Sequence, residues 1–95
     1  MIRSFADAEA ALVWQGRQSH KLPPDIQATA LRKLMMLNRS HTLNDLRVPP
    51  ANRLEQLKGK RSGQWSIRIN RQWRLCFVWS DGDANEVEIV DYHDE

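Results

Sequence analysis

The spacing of apolar positions divides the chain into two unlike halves. From Asp7 the segment DAEAALVWQGRQ predicts a short helix, with Asp7 as N-cap, acids in its first turn and Gly16 as its stop. Leu12, Val13 and Trp14 are its expected buried side. Pro23-Pro24-Asp25 then opens the longest periodic stretch, with Ile26, Ala30, Leu34 and Leu37 at i, i+4, i+8 and i+11. That pattern predicts an amphipathic helix to about Arg39, with Leu31 and Met35 beside the stripe and the methionines as core filler. Ser40-His41-Thr42 breaks it, and Thr42 can cap one further turn to Leu46. Val48–Asn52 is expected to be irregular, because adjacent prolines donate no backbone hydrogen bonds.

Beyond Asn52 the period changes to two. Arg53–Leu57 reads as a short strand. In Gln64–Asn70, Trp65, Ile67 and Ile69 alternate with Ser66, Arg68 and Asn70. In Trp73–Ser80, Trp73, Leu75, Phe77 and Trp79 alternate with Arg74, Cys76 and Val78. Ser80-Asp81-Gly82-Asp83 predicts a hairpin turn, and Asn85–Tyr92 a last strand with Val87 and Ile89 opposite Glu86 and Glu88. Met1–Phe5 is a further strand candidate. Helices followed by an antiparallel meander predict an α+β fold: one small domain over residues 1–95, with the helices on one face of the sheet. At 95 residues, any site must be a surface or a shallow cleft.

Charge changes the picture more than composition does. The formal net charge is only +2. Residues 32–74 nevertheless carry eleven basic and two acidic side chains, whereas residues 75–95 carry seven acids and no Lys or Arg. A basic block of that density suggests an anionic partner, although a solvated surface has the same composition. The single cysteine, Cys76, excludes an internal disulfide and fits a reducing compartment. There is no metal-ligand spacing and no nucleotide-binding glycine motif, so no cofactor or metal is expected. Acids interrupt the apolar N-terminal stretch, and no apolar run reaches membrane-spanning length. A cytoplasmic protein without a membrane partner is expected.

Three groups could carry chemistry. Arg68 and Arg74 should share the sheet face away from the helices, with Lys58, Lys60 and Arg61 entering from a neighbouring loop. A guanidinium fork matches two phosphate oxygens. The same arginines could instead pair with Glu86 and Glu88 across strands. For Arg68 that is the simpler reading, and for Arg74 the two stand level. Asp91-Tyr92-His93 sets a histidine beside a carboxylate, suited to proton transfer. Taken alone it reads more simply as a polar terminus. Glu55 and Lys58, flanked by the anchors Leu54 and Leu57, are either a base with an electrostatic partner or a surface ion pair.

Together these segments resemble the HigB group of the RelE/ParE toxin superfamily. The resemblance rests on Asn52-Arg53-Leu54-Glu55-Gln56-Leu57-Lys58-Gly59, Gly63–Asn70, Trp73-Arg74-Leu75-Cys76-Phe77 and Asp91-Tyr92-His93. Met1–Phe5 adds to it. The resemblance implies a curved antiparallel sheet with an open concave face. It implies a toxin that enters the ribosomal A site and cleaves mRNA without metal, by attack of a ribose 2′-hydroxyl on the adjacent phosphate. It also implies a cognate helix-turn-helix antitoxin of HigA type, with operator DNA bound only through the toxin–antitoxin complex. Carried onto this chain, Arg74 would stabilise the phosphorane and Lys58 would bind a phosphate. His93 would transfer the proton with Asp91, and Tyr92 would stack on or hydrogen-bond the substrate. Arg68, Lys60 and Arg61 are RNA-binding candidates from position alone. Glu55 stands where many relatives carry a histidine; it can act as a base but cannot supply a cation. The ParE branch, which inhibits gyrase by binding, and an RNA- or ribosome-binding module without catalysis are the alternatives.

Overall fold

A computed structural model of the chain describes residues 1–92. Two helices, α1 (Ala8–Trp14) and α2 (Pro24–Arg39), precede four strands: β1 (Glu55–Gln56), β2 (Trp65–Arg68), β3 (Trp73–Ser80) and β4 (Asp83–Asp91). The strands form one antiparallel sheet in the order β1-β2-β3-β4, a meander with the helices on one face. The expected α+β architecture is therefore the one formed.

The helices begin where their caps place them. The Asp7 carboxylate accepts from the Ala10 amide at 2.6 Å, and its other oxygen accepts from the Ile89 amide at 3.3 Å. One side chain thus caps α1 and ties it to β4. Pro24 occupies the first turn of α2, where a missing N–H costs nothing. Ile26, Ala30, Leu34 and Leu37 of α2 are buried against Ile67, Leu75, Phe77 and Val87 of the sheet. Each large side chain in this layer contributes about 1.5–3 kcal/mol by leaving water. On α1 the buried residues are Ala10 and Val13, while Leu12 and Trp14 are half-buried at the margin. Met35 departs from its expected role: it is 49% exposed, on the side of α2 away from the stripe, while Met36 packs partly against the core. Thr42 caps a short 3-10 turn over Leu43–Arg47 in a capping box with Asp45. The amides of His41 and Thr42 hold the Asp45 carboxyl below its usual range. Within the expected irregular stretch, Pro50–Asn52 forms another such turn after a cis Val48–Pro49 bond.

Two strand expectations change. Arg53–Leu57 shortens to Glu55–Gln56, because Arg53 adopts a left-handed conformation that takes the chain out of extended geometry. Met1–Phe5 is not a strand; it makes only two parallel bridges to β4, Ile2 to Ala84 and Phe5 to Val87. The interruption coincides with a β-bulge. Glu86, at φ 53°, lies where the β3–β4 register shifts, and the Ser4 hydroxyl accepts from its amide at 2.9 Å. The bulge brings both Ala84 and Val87 into the core, three residues apart, where strict alternation would place Asn85 inward. Asp81 and Gly82 both take positive φ in the β3–β4 hairpin, as a two-residue turn requires.

Candidate active site

The sheet face away from the helices is built by the polar half of the alternation. Cross-strand pairing sets Arg68 opposite Arg74 and Ser66 opposite Cys76. Glu55 pairs with Ser66 at one edge and Glu88 with Cys76 at the other. Arg74 is held on three sides. Its Nε donates to the Ser66 hydroxyl at 2.7 Å and its Nη2 donates to the Arg53 carbonyl at 2.7 Å. Its guanidinium carbon lies 5.5 Å from the centroid of the Tyr92 ring. Ser66 is fully buried and Arg74 half-buried, so the guanidinium is fixed before anything binds. The left-handed conformation that delays the start of β1 also sets the Arg53 carbonyl in this role.

Around Arg74 lies a cleft of about 220 Å³ lined by Arg53, Arg68, Asn70, Arg71, Arg74 and Tyr92. On the other side of Tyr92 a second hollow of about 190 Å³ is lined by Lys58, Gly59, Lys60 and Arg61. Among the described residues no carboxylate lines either. The cross-strand pairing of Arg68 and Arg74 with Glu86 and Glu88 does not form: Glu88 pairs with Arg61 at 2.6 Å, and Glu86 is exposed on its bulge. The geometry explains the exchange. Glu88 lies opposite Cys76, two residues along β3 from Arg74, and Arg61 reaches in over it. Asp83 is used at the far end of the sheet, by Arg3 at 3.0 Å and the N-terminal amine at 3.3 Å. Arg61, expected to bind RNA, is thus partly neutralised. Among the described residues Lys58, Lys60, Arg68, Arg71 and Arg74 form no ion pair with a carboxylate.

The other predicted site residues divide. Tyr92 joins the two hollows. Glu55 is exposed at the sheet edge, one strand from the Ser66 hydroxyl that holds Arg74. Asp91 lines neither hollow: strand alternation puts it opposite Trp73, on the other face from Tyr92, where it accepts from the Gln72 side chain at 3.1 Å. His93 lies outside the described residues. Arg53, Asn70, Arg71 and Ser66 belong to the cleft but were not among the predicted site residues. Ser66 was detectable, since it alternates in phase with Arg68. Asn70 alternates in the same phase, whereas Arg53 and Arg71 sit in turns, where no periodicity reports which way they project.

This arrangement suits a phosphodiester. Four guanidiniums around one hollow, one of them fixed, favour an oxyanion and the added charge of a phosphorane. Cys76 is no nucleophile, since burial pushes its thiol up to about 11. Among the described residues no three His, Cys, Asp or Glu side chains come together as a metal site.

The HigB-like toxin family, described as the RelE-like toxin of type II toxin–antitoxin system HigB, matches residues 3–93. The chain belongs to this family. Toxin HigB-1 of Vibrio cholerae is 40% identical to this HigB-like toxin over 85 residues, covering 88% of this chain and 90% of that protein. Endoribonuclease HigB of Proteus vulgaris is 28% identical over 93 residues, 98% of this chain and all of that one. Two solved structures share the fold. The YoeB–YefM complex of Staphylococcus aureus aligns with a TM-score of 0.60 at 18% identity, over 98% of both chains. A mutant of YafQ from E. coli aligns at 0.56 and 16% identity, over 96% of this chain and 93% of that one. No helix of the described chain is long and apolar enough to cross a membrane.

Proposed function

We propose that this HigB-like toxin is a ribosome-dependent mRNA endonuclease acting in the ribosomal A site. The observation that carries the reading is Arg74, fixed by Ser66, the Arg53 carbonyl and Tyr92 in a cleft that, among the described residues, is lined by cations and no carboxylate. The ribose 2′-hydroxyl attacks the adjacent phosphate and loses its proton to a base. The phosphate gains charge that Arg74 stabilises, with Arg68 beside it. The 5′-oxygen then leaves and takes up a proton. Lys58 and Lys60 hold a neighbouring phosphate, and Tyr92 offers its ring to a base or its hydroxyl to the backbone. His93 is the first choice for proton transfer, with Glu55 as base at the sheet edge. Asp91 faces away from the cleft and acts only by orienting the chain end.

The endoribonuclease name of the Proteus vulgaris relative supports cleavage. The shallowness of the cleft supports the ribosomal context. A cleft of about 220 Å³ on an open sheet face leaves most of an RNA strand unenclosed, and alignment of that strand by the ribosome fits it. The YoeB–YefM assembly supports a protein antitoxin as partner, for which we infer a helix-turn-helix protein of HigA type.

Primer extension on translated mRNA after induction tests the reading. Cuts within A-site codons are expected, and Arg74→Ala should slow single-turnover cleavage by about 10²–10³-fold, the usual effect of losing one fixed transition-state donor. Translational arrest without such cuts would overturn nuclease function. Inhibition of gyrase supercoiling with intact mRNA would move the chain to ParE-like binding.

A further inference from the structure

A basic hollow larger than the Arg74 cleft lies beside it. A groove of about 470 Å³ runs between α2 and the end of β2, lined by Thr29, Arg32, Lys33, Arg68, Asn70 and Arg71 among others. It shares Arg68, Asn70 and Arg71 with the Arg74 cleft, so the two are continuous. Among the described residues no carboxylate lines it. We propose that this groove is a second phosphate seat, which takes the backbone of the same RNA strand as it leaves the Arg74 cleft.

The groove is built, rather than merely charged. The Lys33 ammonium donates to the Asn52 Oδ1 at 2.6 Å. Asn52 is fully buried, and its amide nitrogen donates to the Leu46 carbonyl at 3.1 Å. That bond fixes which end of the amide faces Lys33, so the carbonyl oxygen holds the ammonium in place. Arg32 is kept beside it by donating to the Thr29 hydroxyl at 3.3 Å. An ordinary solvated helix face would set acids three or four residues from such cations. Here those positions hold Ala28, Thr29, Ala30, Met35, Met36 and Leu37. Partial burial and the neighbouring Arg32 charge hold the Lys33 pKa below its ordinary value of 10.5, so the bare pair is mutually repulsive. A bound phosphate relieves that repulsion. The same Asn52 adjoins Arg53, whose carbonyl holds Arg74, so groove and cleft rest on one support.

The proposal rests on the RNA reading above, and its test separates the two. The probes are 2′-O-methyl oligoribonucleotides of two and six nucleotides, which bind but cannot be cut by 2′-hydroxyl attack. The hexamer should bind more tightly than the dimer. Arg32→Gln combined with Lys33→Gln should weaken hexamer binding about tenfold and flatten its log–log salt slope by about 1.4, because two cations no longer neutralise phosphates. Dimer binding should be unchanged. Arg32→Glu leaves the Lys33–Asn52 bond intact and should act in the same direction, which guards against a folding defect. Equal loss on both lengths, or no loss on the hexamer, overturns the proposal. So does reduced ribosome co-sedimentation with unchanged hexamer binding, which would assign the groove to ribosomal RNA instead. Length-dependent binding without A-site cuts would overturn the nuclease reading and leave the second seat standing.

Discussion

The two faces of the sheet are made by the same strands and obey different physics. On the helix face the side chains of Ile67, Leu75, Phe77 and Val87 are fully buried and apolar. Their energy comes from leaving water, is non-directional and depends on volume. On the open face Ser66, Arg68, Arg74 and Glu88 act through charge and directed bonds, some to partners distant in the chain, such as Arg61 to Glu88 and Arg74 to the Arg53 carbonyl. The first face supplies stability. The second uses part of it to hold four arginines around one hollow, where like charges repel. Stability and function should therefore separate cleanly by face.

The largest effect expected from breaking that division lies on the helix face. Phe77→Ala should cost about 3–5 kcal/mol in urea denaturation, because the side chain is fully buried in the layer between sheet and helices and its loss leaves a cavity. In a domain of this size that is a large share of the total. A loss below about 1 kcal/mol would mean that the sheet does not depend on this layer.

An intermediate effect sharpens the contrast. Ser66→Ala removes the hydroxyl that accepts from Arg74 and should cost only about 0.5–1.5 kcal/mol of stability. Cleavage should fall about tenfold as the guanidinium gains freedom, and Ser66→Thr should restore part of it. A drop in cleavage only as large as the drop in folded fraction would make Ser66 structural rather than positioning.

The same division decides what could be read from the sequence. The helix face was legible almost in full: α2, the alternation of β2 and β3 and the hairpin at Asp81–Gly82 are all periodic or local signals. Errors arose where a tertiary event interrupts a period. The turn at Arg53 cut β1 short, Met1–Phe5 bridges β4 instead of forming a strand, and Met35, expected beside the stripe as core filler, is exposed. On the open face, alternation located Arg68 and Arg74, position in the neighbouring loop pointed to Lys58, and the family resemblance supplied roles for Lys58 and Tyr92. It could not assign partners. Glu88 paired with Arg61, across 27 residues of chain, and no local pattern encodes such a choice. Arg53, Arg71 and Asn52 were invisible as contributors for the same reason, since each acts from a turn.

That unforeseen pair gives the smallest effect. Glu88→Gln removes the carboxylate that partly neutralises Arg61 but leaves a side chain of the same shape. Both partners are about one-quarter exposed, so the change in stability should stay within about 1 kcal/mol. Binding to naked RNA should rise a few-fold, and its log–log salt slope should steepen by up to about 0.7, because Glu88 no longer competes with phosphate for Arg61. Filter binding over a salt series measures both. If Glu88→Gln leaves affinity and slope unchanged, the acid on the open face does not restrain RNA binding, and Arg61 belongs with the scaffold instead of the site. If the slope steepens while A-site cleavage is unaltered, the pair sets how strongly the toxin holds RNA off the ribosome, a property separate from the chemistry at Arg74.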